Sequence, residues 1–409
     1  MKYAIRLLAL APAFLIAGTL LAQDAAPAAA PAAAPAPTAE NAAPAENAAP
    51  AAAPDPLAND PRMADFKQKF GAYQSVMSQI QKLQEDFEKA SQAQDQAKVK
   101  EIQAAAPAIL QNAEQTFMAA VPVAKELYAV SDGKNEELNQ FMLVYANYLL
   151  TVDNYDEAYV LFAAFLSKGM HKTHLEIFEM AGVSAFGANR FNAAKKCFGF
   201  ASQTGAQLSN QAKHYADSID SYYANEWAKE TQLRQQEAQA DDLPRVLIRT
   251  TAGDMVVELF ENEAPNTVAS FLTLVESGFY RNLPFHRVLP GFMAQGGCPK
   301  GDGTGGPGYT IPEEYSKENA RKHFRGSLCM ARSQDPNSAG SQFYVTFLPN
   351  QSLDGNYTVF GRVIDGMQTL SNIERVDPER VYPGQTPTKI LEIKVIRKRN
   401  HDYSNFKKM

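Results

Sequence analysis

The sequence predicts a multidomain protein, an α-helical segment followed by an antiparallel β-sheet that closes into a barrel with two helices. Two changes of pattern carry that expectation. From Met63 to Gln239 apolar residues recur at steps of three and four, the spacing of one helix face. From Arg245 the period falls to two, with Val246-Leu247-Ile248 and Met255-Val256-Val257-Glu258-Leu259 flanking Gly253, a strand–turn–strand signal. A chain of 409 residues is long enough for two or three ordinary domains.

The N-terminus reads as an export signal over residues 1–22. Lys2 and Arg6 precede an apolar run from Leu7 to Leu21, within signal-peptide length and short of the ~20 residues needed to span a bilayer. Leu20 stands where a cleavage site prefers a small residue, and no cysteine follows, which excludes a lipoprotein anchor. Export to the periplasm is the expectation. Membrane attachment arises only if the segment stays uncleaved.

Residues 23–61 are almost entirely Ala and Pro with scattered Asn, Asp and Glu. Such a tract has no periodicity and cannot bury a core, and its prolines favour an extended spacer.

Residues 62–240 form the predicted helical domain. Phe66, Phe70, Tyr73, Met77, Ile80, Leu83 and Phe87 line one face of a first helix. Val99, Ile102, Leu110 and Phe117 line a second, which Pro107 is expected to break, with a restart at Val123 after Pro122. Then Asn154-Tyr155-Asp156-Glu157-Ala158 is echoed by Arg190-Phe191-Asn192-Ala193-Ala194, 36 residues on. Each unit reads as helix, short polar turn with an aromatic, and helix. This resembles tetratricopeptide-type repeats, whose usual period is 34. Ser209–Glu230 would cap the stack. A concave face on such a stack could bind a protein partner. Tyr145, Tyr148, Phe162, Phe165 and Phe178 are expected in the core.

The charged, Gln-rich stretch from Glu230 to Asp242 is read as the domain boundary, ahead of a second domain at 244–400 and a C-terminal tail at 401–409. In that second domain a helix is expected near Pro265–Ser277 and another near Met367–Ile373. Further strands are expected at Gln342–Phe347, Val359–Val363 and Ile390–Ile396.

The formal charge of −6 argues against a nucleic-acid binder, which carries a basic patch or stripe. Cys197, Cys298 and Cys329 show neither a disulfide framework nor zinc spacing. They read as structural thiols, with a Cys298–Cys329 bridge left open. His171 and His174 lack supporting metal ligands. Gly303-x-Gly305-x-x-Gly308 matches a dinucleotide fingerprint by letter, but Pro307 and the missing strand–helix context discount it.

The strongest signal lies in the second domain. Phe285-His286-Arg287-Val288-Leu289-Pro290-Gly291-Phe292-Met293-Ala294-Gln295-Gly296-Gly297 resembles the signature of the cyclophilin-type peptidyl-prolyl cis-trans isomerases. Gly303-Thr304-Gly305-Gly306-Pro307-Gly308-Tyr309, Ser341-Gln342-Phe343-Tyr344, Leu353-Asp354-Gly355 and Val359-Phe360-Gly361 follow in the family's order. The resemblance implies an eight-stranded antiparallel barrel capped by two helices, with a surface groove for X-Pro segments. It implies Arg287 as the catalytic donor and Phe292, Met293, Tyr344 and Leu353 as the proline pocket. Gln295 would bond the substrate backbone and Gln342 would line the groove. Ala331 and Arg332 would offer backbone groups, and Phe343 would belong to the barrel core. Three positions depart from the pattern: Ser352 replaces a tryptophan, Tyr357 a groove histidine and Arg332 an asparagine. No metal or cofactor is implied. The expected partners are proline-containing polypeptides. The rival readings are a proline-peptide-binding scaffold or chaperone without turnover, and an adaptor whose main work lies in the helices.

Overall fold

The computed structural model describes residues 56–379 and 385–409. The signal-like segment and nearly all of the Ala/Pro tract lie outside the described residues. The chain divides into two compact units, one running to Tyr145 and the other from Ala146 to Met409. That division falls within a helix rather than at the composition change near Asp242. Among the described residues no helix is long and apolar enough to cross a membrane.

In the first unit, helices α1 (Arg62–Gln92) and α2 (Gln96–Val130) pair, and helix α3 (Glu136–Thr151) begins. Phe66, Phe70, Tyr73, Phe117 and Phe141 are buried together. The predicted stripe fades toward the end of α1, where Phe87 is exposed. The expected break of α2 does not occur: the helix runs unbroken through Pro107 and Pro122. A helical proline frees the carbonyl four residues back. Here those carbonyls belong to Gln103 and Met118, which are exposed, so water can satisfy them. The opposite face meanwhile buries Ile102, Leu110, Ala113, Phe117 and Leu127. Burial of that stripe offsets the local cost of about 3 kcal/mol.

After the end of α3, the second unit packs three helices in succession, α4 (Tyr155–Ser167) on α5 (Glu176–Gly187) and α5 on α6 (Phe191–Gln203). The 36-residue echo is present in the backbone. Asp153 and Asn189 both take positive φ (60° and 59°), as do Gly169 and Gly205 (81° and 78°). Tyr155 and Phe191 are buried at matching places. The helices pack closely because side chains are missing where they meet. A Cβ on Gly182 would lie 2.4 Å from Phe198, and one on Gly187 would lie 2.4 Å from Tyr155. Next come α7 (Asn210–Ser218), a π-helical turn (Ile219–Tyr223) and α8 (Ala224–Ala240). The stretch read as a boundary is therefore the last turns of α8. His174 bonds Glu176 locally.

Strands β1 (Arg245–Thr250), β2 (Gly253–Leu259), β3 (Arg287–Leu289), β4 (Met293–Gly296), β5 (Ser327–Met330), β6 (Phe343–Thr346), β7 (Val359–Asp365) and β8 (Ile390–Arg397) form one antiparallel sheet ordered β3-β4-β6-β5-β7-β2-β1-β8. Its ends meet where residues 282–285 bond residues 388–390. Helices α9 (Pro265–Glu276) and α10 (Gln368–Asn372) accompany it. The interior holds Val246, Ile248, Val257, Leu272, Phe285, Val288, Ala294, Leu328, Phe343, Val345 and Phe360. Tyr403 of the C-terminal segment joins this core. Cys197, Cys298 and Cys329 are free thiols, so the bridge left open by the sequence is not formed.

Helix α8 lies against the barrel through buried charge. The Arg321 side chain is 2% exposed. Its Nε and Nη2 donate to the two oxygens of Glu230 at 3.0 and 2.9 Å, and its Nη1 meets Glu237. Arg362 on β7 pairs with Glu237 at 2.8 Å and with Glu258 on β2 at 2.7 Å. Both guanidinium groups face the ring of Phe260, at 3.8 and 5.6 Å. Burial pushes the Glu230 carboxyl upward, but Arg321 and Arg234 outweigh it and hold the group below the usual carboxylate range.

Two outcomes follow. Arg321→Met leaves two buried carboxylates short of a counter-charge and should cost about 3–5 kcal/mol. The check is urea unfolding followed by emission of Trp227, the only tryptophan, which sits on α8. An unchanged midpoint would contradict the pairing. Because the Glu230 pKa is lowered in the fold, its contribution is present above the unfolded value of ~4.3 and lost as pH falls through the folded one. The urea midpoint should therefore decline as pH is lowered below ~4, and less steeply in Glu230→Gln.

Candidate active site

Period-two alternation separates the site from the barrel interior. On β3, β4 and β6 the residues Val288, Ala294, Phe343 and Val345 point inward. Their neighbours point outward. Register places Arg287 opposite Gln295, Gln295 opposite Tyr344, and Tyr344 opposite Cys329. Residues directly opposite share a face, so these four form one transverse row on the outer surface.

A second apolar cluster sits on that surface. Met293, Tyr344 and Cys329 are buried in it, and Phe292, Ala331, Leu353 and Tyr357 pack against them, half-buried. The Tyr357 ring meets that of Tyr344 edge-on at 5.9 Å. The Arg287 guanidinium lies 5.9 Å from the centre of the Phe292 ring. Among the described residues no hydrogen bond or ion pair engages it, so its donors remain available.

Two amides stiffen the groove floor. Gln342 Nε2 donates to the carbonyls of Gly303 (2.7 Å) and Gly305 (2.9 Å). Two carbonyl partners fix which end of that amide is nitrogen. Its oxygen consequently faces Gln295, whose Nε2 donates to it at 3.0 Å. The Gln295 oxygen is left as an acceptor. Beside this pair lies a cavity of about 350 Å³, lined by Gln295, Gly303, Pro307, Ala331, Ser338 and Gln342.

Every residue that the sequence named is therefore brought to one face, with two refinements. The Ala331 N–H is committed to the Gln342 carbonyl at 2.9 Å, so a peptide contact at Ala331 falls to its carbonyl. The Arg332 side chain is not idle. Its Nε donates to the Asn356 carbonyl at 2.8 Å, and its guanidinium stacks over Tyr357 at 4.8 Å. Arg332 thus clamps the turn that carries Tyr357. Ser352, at the tryptophan position, is exposed and bonds only within its own turn, to Asn350 and Asn356.

Sequence reasoning missed the support beneath Tyr344. His323 is buried, with its Nε2 3.0 Å from the Tyr344 hydroxyl and its Nδ1 2.7 Å from Asp354 Oδ1. Burial pushes the Tyr344 phenol well above its ordinary range, with Cys329 adding to the effect, so the hydroxyl keeps its proton. It also missed Asp153. Its Oδ1 accepts the Gly291 N–H at 2.8 Å, next to Phe292, while Arg375 pairs with Oδ2. His286 is buried, and burial lowers its pKa, so the imidazole stays neutral.

The family model described as cyclophilin type peptidyl-prolyl cis-trans isomerase matches residues 245–395. A peptidyl-prolyl cis-trans isomerase of Synechococcus elongatus is 45% identical over 139 residues, which is 33% of this chain and 93% of that protein. The chain belongs to the cyclophilin family. Peptidyl-prolyl isomerase B of Bacillus subtilis is 48% identical over 29% of this chain and 82% of its own. A solved cyclophilin-type isomerase of Cryptosporidium parvum, determined in the presence of the dipeptide Ala-Pro, is 35% identical, covering 37% of this chain and 98% of its own at a TM-score of 0.34. The activity of this cyclophilin is peptidyl-prolyl cis-trans isomerisation.

Gln342 ties both Gln295 and the 303–305 loop in place. Gln342→Ala should therefore speed amide hydrogen exchange at residues 303–305 selectively, with exchange on β2 and β7 unchanged. Equal protection in both proteins would contradict the tether.

Proposed function

We propose that this cyclophilin accelerates rotation about X-Pro bonds in exported polypeptides, with Arg287 as the group that touches the reacting amide. The amide is planar through resonance, and rotation meets a barrier of ~18–20 kcal/mol. Exchange at X-Pro bonds consequently takes tens to hundreds of seconds. In the twisted transition state the proline nitrogen becomes pyramidal and regains its lone pair. A guanidinium can donate to that nitrogen only then, so it binds the transition state better than either planar form.

The single observation that supports this role is the Arg287 guanidinium at the Phe292 ring, beside the slot of Met293, Tyr344 and Leu353, with its donors uncommitted. The slot would hold the pyrrolidine ring while the preceding residue turns. It also favours the twisted amide, which is less polar than the planar one. Gln295 would hold the peptide backbone through its oxygen. No proton transfer is needed, consistent with a neutral His286. A charged hydrogen bond nets about 1.5–3 kcal/mol. Arg287→Ala should therefore reduce kcat/KM for a proline tetrapeptide by about 10- to 100-fold without lowering the thermal midpoint. The wild-type rate in that variant would remove Arg287 from the mechanism.

Export and periplasmic folding assistance rest on Lys2, Arg6 and the Leu7–Leu21 run. Client or partner binding belongs on the helices. Val160 on α4 and Phe200 on α6 support it, being 61% and 52% exposed. Full-length Phe200→Glu should retain tetrapeptide turnover and lose any client that wild type retains in a pull-down. Undiminished capture would move the binding surface elsewhere.

A further inference from the structure

We propose that Tyr222, in the helical segment, is a positioning residue of the isomerase site. It acts on the wall of the proline slot through Asp354, His323 and Tyr344. The inference rests on the reading of that slot as the proline site.

Tyr222 and Tyr223 end the π-helical turn Ile219–Tyr223. Such a turn inserts one residue into the helical repeat, and single π turns recur at functional sites. Here two successive tyrosines both reach the barrel. The Tyr222 hydroxyl donates to Asp354 Oδ2 at 2.6 Å, and the Tyr223 hydroxyl accepts the Gln351 N–H at 2.8 Å. The turn that presents Leu353 to the slot is therefore held at both ends from outside the barrel. Ser352, within it, makes only local bonds.

From Asp354 the chain of bonds runs inward without a gap. Asp354 Oδ1 accepts the His323 backbone N–H at 2.8 Å and faces its Nδ1 at 2.7 Å. A carboxylate can only accept, so Nδ1 carries a proton. The other ring nitrogen, Nε2, lies 3.0 Å from the Tyr344 hydroxyl, within hydrogen-bond reach. The two rings lie nearly parallel, 9° apart. The His323 side chain is fully buried and that of Asp354 is 9% exposed, so water cannot stand in for a lost partner. Tyr222 thus orients the carboxylate, the carboxylate orients the His323 ring, and that ring holds the Tyr344 hydroxyl in place.

Tyr222→Phe keeps the ring and removes the hydroxyl. In the full chain it should lower kcat/KM for a proline tetrapeptide by about 2- to 10-fold. In a Tyr344→Phe background the same change should have no further effect, because the relay is already cut. The His323 imidazole ¹⁵N shifts should move in Tyr222→Phe. A helix that merely docks would change the thermal midpoint and leave the coupling at zero. Unmoved His323 shifts, kcat/KM within twofold of wild type, or additive effects with Tyr344→Phe would each overturn the relay. Moved shifts with Tyr344→Ala turning over at the wild-type rate would instead overturn the reading of the slot, and the proposal with it.

Discussion

Two arginines of the barrel, Arg321 and Arg362, have their guanidinium groups out of water, and much of the second unit is arranged to answer them. A buried cation costs several kcal/mol unless carboxylates and hydrogen bonds meet it. Glu258 comes from the neighbouring strand, but Glu230 and Glu237 come from α8. They are seven residues apart, two helical turns, and so share one face. Only one placement of α8 along β7 presents both. Both guanidinium groups also stand over the Phe260 ring, at 3.8 and 5.6 Å. Such pairs add less to net stability than to registry. The registry here sets where the π-helical turn, just upstream of α8, meets the 351–354 turn.

Both walls of the slot therefore receive support from helices. Asp153, at the turn before α4, accepts the N–H of Gly291, beside Phe292. Tyr222 and Tyr223 hold the turn that carries Leu353. Between them the barrel supplies the outward row of Arg287, Gln295 and Tyr344. Preorganisation of this kind matters for a reaction with no covalent step, where the protein contributes only shape and a fixed donor. It also gives the helical segment a role at the site that does not depend on any client surface.

Much of this was legible in the sequence because its signals are local. Period-two runs located β1, β2, β6, β7 and β8. Ordered motifs marked the groove residues from Arg287 to Tyr357. The short strands β3, β4 and β5 were not visible as strands, since three or four residues carry too little alternation. Pro107 and Pro122 misled, because a break signal is read from the residue alone while its cost depends on whether the freed carbonyl faces water. The charged Glu230–Asp242 stretch reads as a domain boundary, because charge in a sequence does not say whether its counter-charge lies 91 residues away on Arg321.

The sequence by itself determined the order of elements, the 36-residue helical echo and the ordered motifs that nominated the slot residues and Arg287. The order of elements, the helical echo and the motifs that nominated Arg287 and the slot residues depend on side-chain chemistry and short-range periodicity, which the chain carries in order. Only the tertiary structure decided what holds the slot: His323 behind Tyr344, Asp354 behind His323, and Tyr222 behind Asp354. Those contacts join residues 21, 31 and 132 positions apart. No periodicity encodes such a link, because it exists only once burial has excluded water and left these polar atoms to one another.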